Sequence, residues 1–223
     1  MAQSIDTMLQ LLVGTGVYLV TEDATPAALR LQGVQQALES GARVVQLRDK
    51  RTPRRLLLDE ARTMGTLCRE YGAVFIVNDD VALAWCADAD GVHVGQDDLP
   101  APEVRRLMGP HKLVGLSVSY LEEALEAERG GVDYLGVGAI YATPTKPDVE
   151  MAGLGLLREV RSRVSLPLVA IGGIDATNAR SVFEAGADSV AVVRAVFAQP
   201  SVGAATRELL QIARSTRSEG GKG

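Results

Sequence analysis

Apolar residues along this chain gather into short, nearly unbroken runs, separated by longer stretches in which apolar positions recur every three or four residues. The first pattern suits strands covered on both faces, and the second suits amphipathic helices. Three segments repeat one phrase: "ALESGARVVQLR", "AERGGVDYLGVG" and "VFEAGADSVAVV" each end a helix, turn at glycine and enter a β-branched run. A shorter version stands in "CADADGVHVG". Strands are expected at 17–21, 43–48, 74–78, 91–94, 113–118, 134–140, 167–171 and 189–193. With helices between them, these make about eight βα units, the count of a closed (β/α)8 TIM barrel. The fold class expected is α/β, with one barrel domain over residues 1–215 and a flexible polar tail over 216–223, "TRSEGGKG". A doubly wound open sheet is the alternative.

Composition narrows the partners. The chain is 47% hydrophobic with a formal charge of -5, which favours neither nucleic acid nor an anionic membrane, so any anionic ligand must be met by local groups. The N-terminal "MLQLLVGTGVYLV" lacks a basic lead-in and is broken by Gly14, Thr15 and Gly16, so neither a signal segment nor a membrane span is expected. Cys68 and Cys86 have no metal-ligand spacing and read as reduced, buried thiols of a cytoplasmic protein.

In a barrel, the loops after the strands share one mouth, and here the strand ends are rich in polar groups. In "QLRDK", alternation turns Gln46, Arg48 and Lys50 to one face and Leu47 and Asp49 to the other. An arginine fork beside a lysine point charge suits a phosphate or diphosphate, the plainer reading being a solvated strand end with surface ion pairs. "VNDD" and "GQDD" offer carboxylates for Mg²⁺, with Asp79 and Asp98 the first choices; Asp80 and Asp97 read equally as helix caps or surface charges. His93 reads as a hydrogen-bonded core residue, and His111 has no assigned role. In "YATPTKPD", Thr143, Thr145 and Lys146 offer two hydroxyls and a charge, while Pro144 and Pro147 stiffen the loop for anion binding. In "AIGGID", Gly172 and Gly173 let main-chain N–H groups approach a phosphate at a helix start.

"QLRDK", "VNDD", "HVGQDDLP", "VGLSVS", "GVGAIYATPTK" and "AIGGI", in this order, resemble the thiamine phosphate synthase family over nearly the whole chain. The resemblance implies a (β/α)8 barrel and a transferase in thiamine biosynthesis. Such an enzyme joins hydroxymethylpyrimidine diphosphate to a thiazole phosphate through a dissociative pyrimidine cation, with Mg²⁺ as cofactor. It further implies that Gln46, Arg48, Lys50, Asn78, Ser117 and Lys146 meet the pyrimidine diphosphate, with Asp79 and Asp98 on the metal. Thr143, Thr145, Gly153, Val193 and Arg194 then fall at the thiazole phosphate. Arg194 departs from the family, where a serine is frequent. The partners implied are these two small molecules, and a homo-oligomer is compatible with the sequence. Two alternatives share the fold: a thiazole tautomerase, whose histidine after strand five is replaced here by Ser119, and a non-catalytic phosphate-sensing regulator.

Overall fold

The computed structural model describes residues 3–142 and 151–220. Eight strands alternate with helices: α1 (Ile5–Thr15), β1 (Val17–Val20), α2 (Ala27–Glu39), β2 (Val44–Leu47), α3 (Arg54–Glu70), β3 (Val74–Asn78), α4 (Val81–Cys86) and β4 (Gly91–Val94) come first. The second half holds α5 (Ala101–Met108), β5 (Leu113–Val118), α6 (Leu121–Arg129), β6 (Tyr134–Val137), α7 (Gly153–Arg163), β7 (Leu168–Ile171), α8 (Ala179–Glu184), β8 (Ser189–Val192), α9 (Arg194–Phe197) and α10 (Val202–Gly220). Every strand pairs in parallel with its neighbours in sequence, and β8 returns to β1 through Val17↔Val190, so the sheet is a closed barrel. The open-sheet alternative is thereby excluded.

Two apolar layers follow from strand alternation. Outward residues such as Val45, Leu47, Phe75, Val77, Val92 and Leu135 meet the helices, while Tyr18, Val44, Val74, Ile76, Leu113, Tyr134 and Val169 point into the barrel. Met8 and Leu12 of α1 join the inner layer. The broken apolar run at the N-terminus is thus a short helix that plugs the barrel floor, capped by Ser4 and ended at Gly16. Ser189, at the foot of β8, donates its hydroxyl to the Leu12 carbonyl and fastens the plug.

Two expectations change. The polar tail expected from residue 216 continues α10 to Gly220, because the Arg217 guanidinium reaches the carbonyls of Val13, Gly14 and Asp188 and draws the last turns against the floor. Cys68 is buried, but Cys86 is exposed, since α4 ends there and turns its last residues outward. Among the described residues no helix is long and apolar enough to cross a membrane.

Candidate active site

The mouth at the C-terminal strand ends is organised first by a buried ion cluster behind β2. Asp49 turns away from the barrel axis, as alternation requires, and accepts from the N–H groups of Arg51 (2.9 Å) and Thr52 (2.8 Å) and from the Thr52 hydroxyl (2.8 Å). Arg30 of α2 pairs with Asp49 at 2.9 Å and Glu60 at 2.6 Å, and also donates to the carbonyls of Glu22 and Thr25. Burial raises the Asp49 carboxyl, but these donors and Arg30 outweigh it and leave it below the usual carboxylate range. Thr21 clamps the main chain of Arg48 on both sides, through Arg48 N (2.9 Å) and Arg48 O (3.2 Å). The loop is therefore fixed while the Arg48 guanidinium itself pairs with no described residue.

Beside it lie two carboxylates. Asp79 follows β3 with φ 62, held by its N–H on the His93 carbonyl, and Lys50 Nζ lies 2.8 Å from its Oδ2. Asp98 accepts from Gly95 N at 2.8 Å, and its carboxyl is close enough to that of Asp79 for each to shift the other's protonation. Burial raises the Asp79 carboxyl, yet Lys50 and Asp98 bring it below its ordinary value, whereas burial and Asp79 push Asp98 up. Asp80 is a helix cap: it accepts from Leu83 N at 2.8 Å and pairs with Arg54 at 2.5 Å. Asp97 is exposed. No group of three His, Cys, Asp or Glu residues able to hold a metal occurs among the described residues. Two adjoining carboxylates nevertheless fit Mg²⁺, which takes few protein ligands and completes its shell with water and phosphate oxygens.

Inside the barrel the expected site residues are joined by groups that sequence reasoning passed over. Gln46 Nε2 donates to Tyr18 Oη (2.9 Å), Tyr18 Oη meets Tyr134 Oη (2.9 Å), Tyr134 Oη meets His93 Nδ1 (3.1 Å), and His93 Nε2 meets Ser117 Oγ (2.9 Å). His93 is a buried, hydrogen-bonded core residue as expected, but its partner Ser117 is one of the candidate substrate groups. Tyr18 and Tyr134 sit in inward register with Val44 and Val74. Asn78 is the register partner of His93 at the top of β3.

On the far wall, Gly172 (φ 104) and Gly173 (φ 62) hold β7's loop against the end of β6. Ile140 N donates to Ile171 O (2.9 Å) and Tyr141 N to Gly172 O (3.0 Å). A Cβ on Gly173 would lie 2.5 Å from the Ala142 carbonyl, so the first requirement for glycine here is close packing of two loops. Residues 143–150, with Thr143, Thr145 and Lys146, lie outside the described residues. Gly153 opens α7, and Ala152 N donates to Ala139 O (2.8 Å), which brings the far end of that loop back to its start. Val193 precedes α9 and accepts from Val196 N and Phe197 N. Arg194 is exposed and makes no ion pair with a described residue. A cavity of about 270 Å³ lined by Thr21, Leu29, Gln36, Phe197 and Val202 contains none of the expected site residues.

A family model described as thiamine monophosphate synthase matches residues 17–196. The chain is 45% identical over 196 residues to a thiamine-phosphate synthase of Shouchella clausii, covering 87% of this chain and 94% of that protein. It is 50% identical over 185 residues to a thiamine-phosphate synthase of Chloroflexus aurantiacus, covering 82% and 85%. Among solved structures, a thiamine phosphate pyrophosphorylase from Pyrococcus furiosus superposes with a TM-score of 0.84 at 40% identity, over 92% of this chain and 98% of that one.

Proposed function

The chain belongs to the thiamine monophosphate synthase family, and we propose that its barrel mouth joins hydroxymethylpyrimidine diphosphate to a thiazole phosphate, giving thiamine phosphate and diphosphate. The observation that carries this reading is that Arg48, which pairs with no described residue, stands two positions before Lys50, whose Nζ lies 2.8 Å from Asp79 and whose charge also acts on Asp98. Such a cluster is unstable in charge until an anion and a cation enter it together, as a metal-bound diphosphate does.

Arg48, Lys50 and Lys146 receive the diphosphate. As its bond to the methylene carbon breaks, negative charge grows on the departing oxygens, so these cations contribute more in the transition state than in the bound substrate. Asp79 and Asp98 would hold Mg²⁺, which when bound would supply positive charge to the same oxygens. Lys50 leaves its ion pair with Asp79 for the diphosphate. Gln46, Asn78 and Ser117 hold the pyrimidine ring, whose ring electrons stabilise the methylene cation. The thiazole nitrogen lone pair then forms the new carbon–nitrogen bond, and no protein nucleophile takes part. Thr143, Thr145, Gly153, the N–H groups at Gly172 and Gly173, and Val193 with Arg194 take the thiazole phosphate. The barrel floor, sealed by α1, excludes water from below the cation.

Ser119 supports this reading over a tautomerase: its N–H is committed to Glu123 at 2.7 Å and its hydroxyl to the Gly138 carbonyl at 3.3 Å, and no histidine occupies that place. The compared relatives are likewise named as synthases, which leaves the sensing regulator without support. Incubation of the protein with both substrates and Mg²⁺ gives thiamine phosphate and diphosphate if the proposal is correct. Absence of both products, or undiminished turnover after chelation, would overturn the reaction or the metal assignment respectively.

A further inference from the structure

We infer that Gln46, Tyr18, Tyr134, His93 and Ser117 form a polarity relay that selects a pyrimidine bearing an amino group over its oxo counterpart. The inference rests on the proposed placement of the pyrimidine at Gln46 and Ser117. It concerns how three buried positioning residues set the hydrogen-bonding direction of those two.

Gln46 donates its amide N–H to Tyr18 Oη, which leaves its carbonyl oxygen available as the acceptor for a ligand. A buried hydroxyl hydrogen needs an acceptor. For Tyr18 that acceptor is Tyr134 Oη, so the Tyr134 hydrogen must go on to His93 Nδ1. His93 Nδ1 then carries a lone pair, the ring proton sits on Nε2, and Nε2 donates to Ser117 Oγ. The Ser117 hydrogen is left available to donate to a ligand. With a neutral imidazole, reversing any link reverses every link, so the groups hold one direction as a unit.

The barrel is shaped to admit this chain of rings. A Cβ on Gly115 would stand 2.2 Å from Tyr134 Cζ and 2.5 Å from His93 Nδ1, and one on Gly136 would stand 2.9 Å from His93 Cε1. Both strands give up side chains where the relay passes.

An acceptor at one end and a donor at the other match an amino N–H and a ring-nitrogen lone pair. An oxo pyrimidine presents C=O and ring N–H instead, and meets a like group at both ends. Sites built to hydrogen-bond one pattern reject the opposite one strongly, here by roughly 10³-fold. The amino group also feeds electrons into the ring as diphosphate leaves, so its hydrogen gains positive charge and the contact with Gln46 strengthens toward the transition state.

The relay is tested first without substrate. The chain has two histidines, so ¹⁵N NMR at about pH 8 can resolve the ring of His93. The Nε2–H tautomer is expected, and Nδ1–H overturns the relay. Tyr134→Phe and Tyr18→Phe each remove one hydroxyl with little change of shape. In either, kcat with the amino substrate should fall about tenfold and amino-over-oxo discrimination should drop to roughly tenfold, with KM for thiazole phosphate unchanged. Unaltered discrimination in a folded variant overturns the inference. A wild-type protein that forms no thiamine phosphate overturns the functional reading instead; the His93 tautomer and calorimetric binding of amino and oxo pyrimidine diphosphates then still decide the relay.

Discussion

At the N-terminal end of the barrel, Asp90, Asp133 and Asp188 each close a small ring with the neighbouring strand. The Asp133 N–H donates to Val114 O (2.8 Å) while its carboxylate accepts from Val114 N (2.7 Å). Asp90 does the same with Phe75, and Asp188 with Leu168. Arginines complete the pattern: Arg105 pairs with Asp133 and donates to the carbonyls of Gly109, Lys112 and Gly131, and Arg161 pairs with Asp188 and donates to Val164 O and Leu166 O. At the C-terminal end some of the same residue types are matched, as in the Arg30–Asp49–Glu60 cluster, and others are left open. Arg48 and Arg194 pair with no described residue, and Asp79 and Asp98 are pressed together. Charges that the protein satisfies itself contribute to stability; charges that it leaves open are available to a ligand.

Substitutions at the two ends should therefore separate activity from stability. The largest effect is expected for Arg48→Ala, which removes a donor aimed at the developing charge and should lower turnover by roughly 10²–10³-fold. Arg48→Lys keeps the charge, loses the fork and should recover only part of the rate. Thermal melting of both should match the parent, because no described residue loses a partner. A melting loss comparable to that of the floor variants would break the comparison.

Next comes Asp133→Ala. It strips a carboxylate from Val114 N–H and from the Arg105 guanidinium, and should cost about 2–3 kcal/mol in urea unfolding, since a charged group and a buried donor are both left unmatched. Turnover per folded molecule should be unchanged. If activity falls in step with Arg48→Ala, the floor is coupled to the mouth and the division fails.

A smaller effect, of opposite sign, is expected at Asp98. Burial and the Asp79 carboxylate raise its carboxyl above the value in the unfolded chain. Between those two values the folded protein binds more protons than the unfolded one, so this group destabilises the metal-free protein at neutral pH and the cost disappears as pH falls through the folded value. Asp98→Asn should therefore raise the melting temperature slightly at pH 7, remove that part of the acid-side pH dependence, and still abolish metal-supported turnover. A lowered melting temperature at pH 7 would show that the carboxylate is satisfied after all.

The barrel was legible because its strands are β-branched runs between glycine turns, and β3, β4 and β5 fall at the expected bounds. β6 ends at Val137 rather than at residue 140, because Ile140 and Tyr141 hydrogen-bond to Ile171 and Gly172 as a loop instead of continuing the ladder. The phrases "DADGV", "GVDYL" and "GADSV" were read for their glycines, while the aspartate in each, which ties the sheet floor, has no local signature; its partner lies 15 to 20 residues away. At the mouth, Gln46, Arg48 and the Asp79–Asp98 approach followed from alternation and neighbouring strand ends. Tyr18 and Tyr134 did not, since a strand covered on both faces is apolar throughout and does not announce which hydroxyls will meet across the barrel.

Arg217 gives the smallest effect and the sharpest check on the division between the two ends. Its position in the polar sequence "STRSEGGKG" suggests a solvated tail, yet its guanidinium donates to Gly14 O at 2.5 Å, to Val13 O at 2.6 Å and to the Asp188 carbonyl. Burial lowers its pKa and the Asp188 carboxylate opposes that shift, while the carbonyl oxygens take up its N–H donors. These oxygens belong to the end of α1 and to the residue before β8, so the contact joins the last helix to the plug that seals the floor. Arg217→Ala should free the C-terminal turns of α10 and cost about 1 kcal/mol, the net value of a partly exposed hydrogen-bond cluster. Hydrogen exchange should rise in the last turns of α10 and in α1, while kcat and both KM values stay as in the parent. Faster exchange confined to α10 would mean that the plug is held by Met8, Leu12 and Ser189 alone. A change in kcat would mean that the floor helps to position the inner residues, and the separation of stability from chemistry would have to be redrawn at the level of Tyr18.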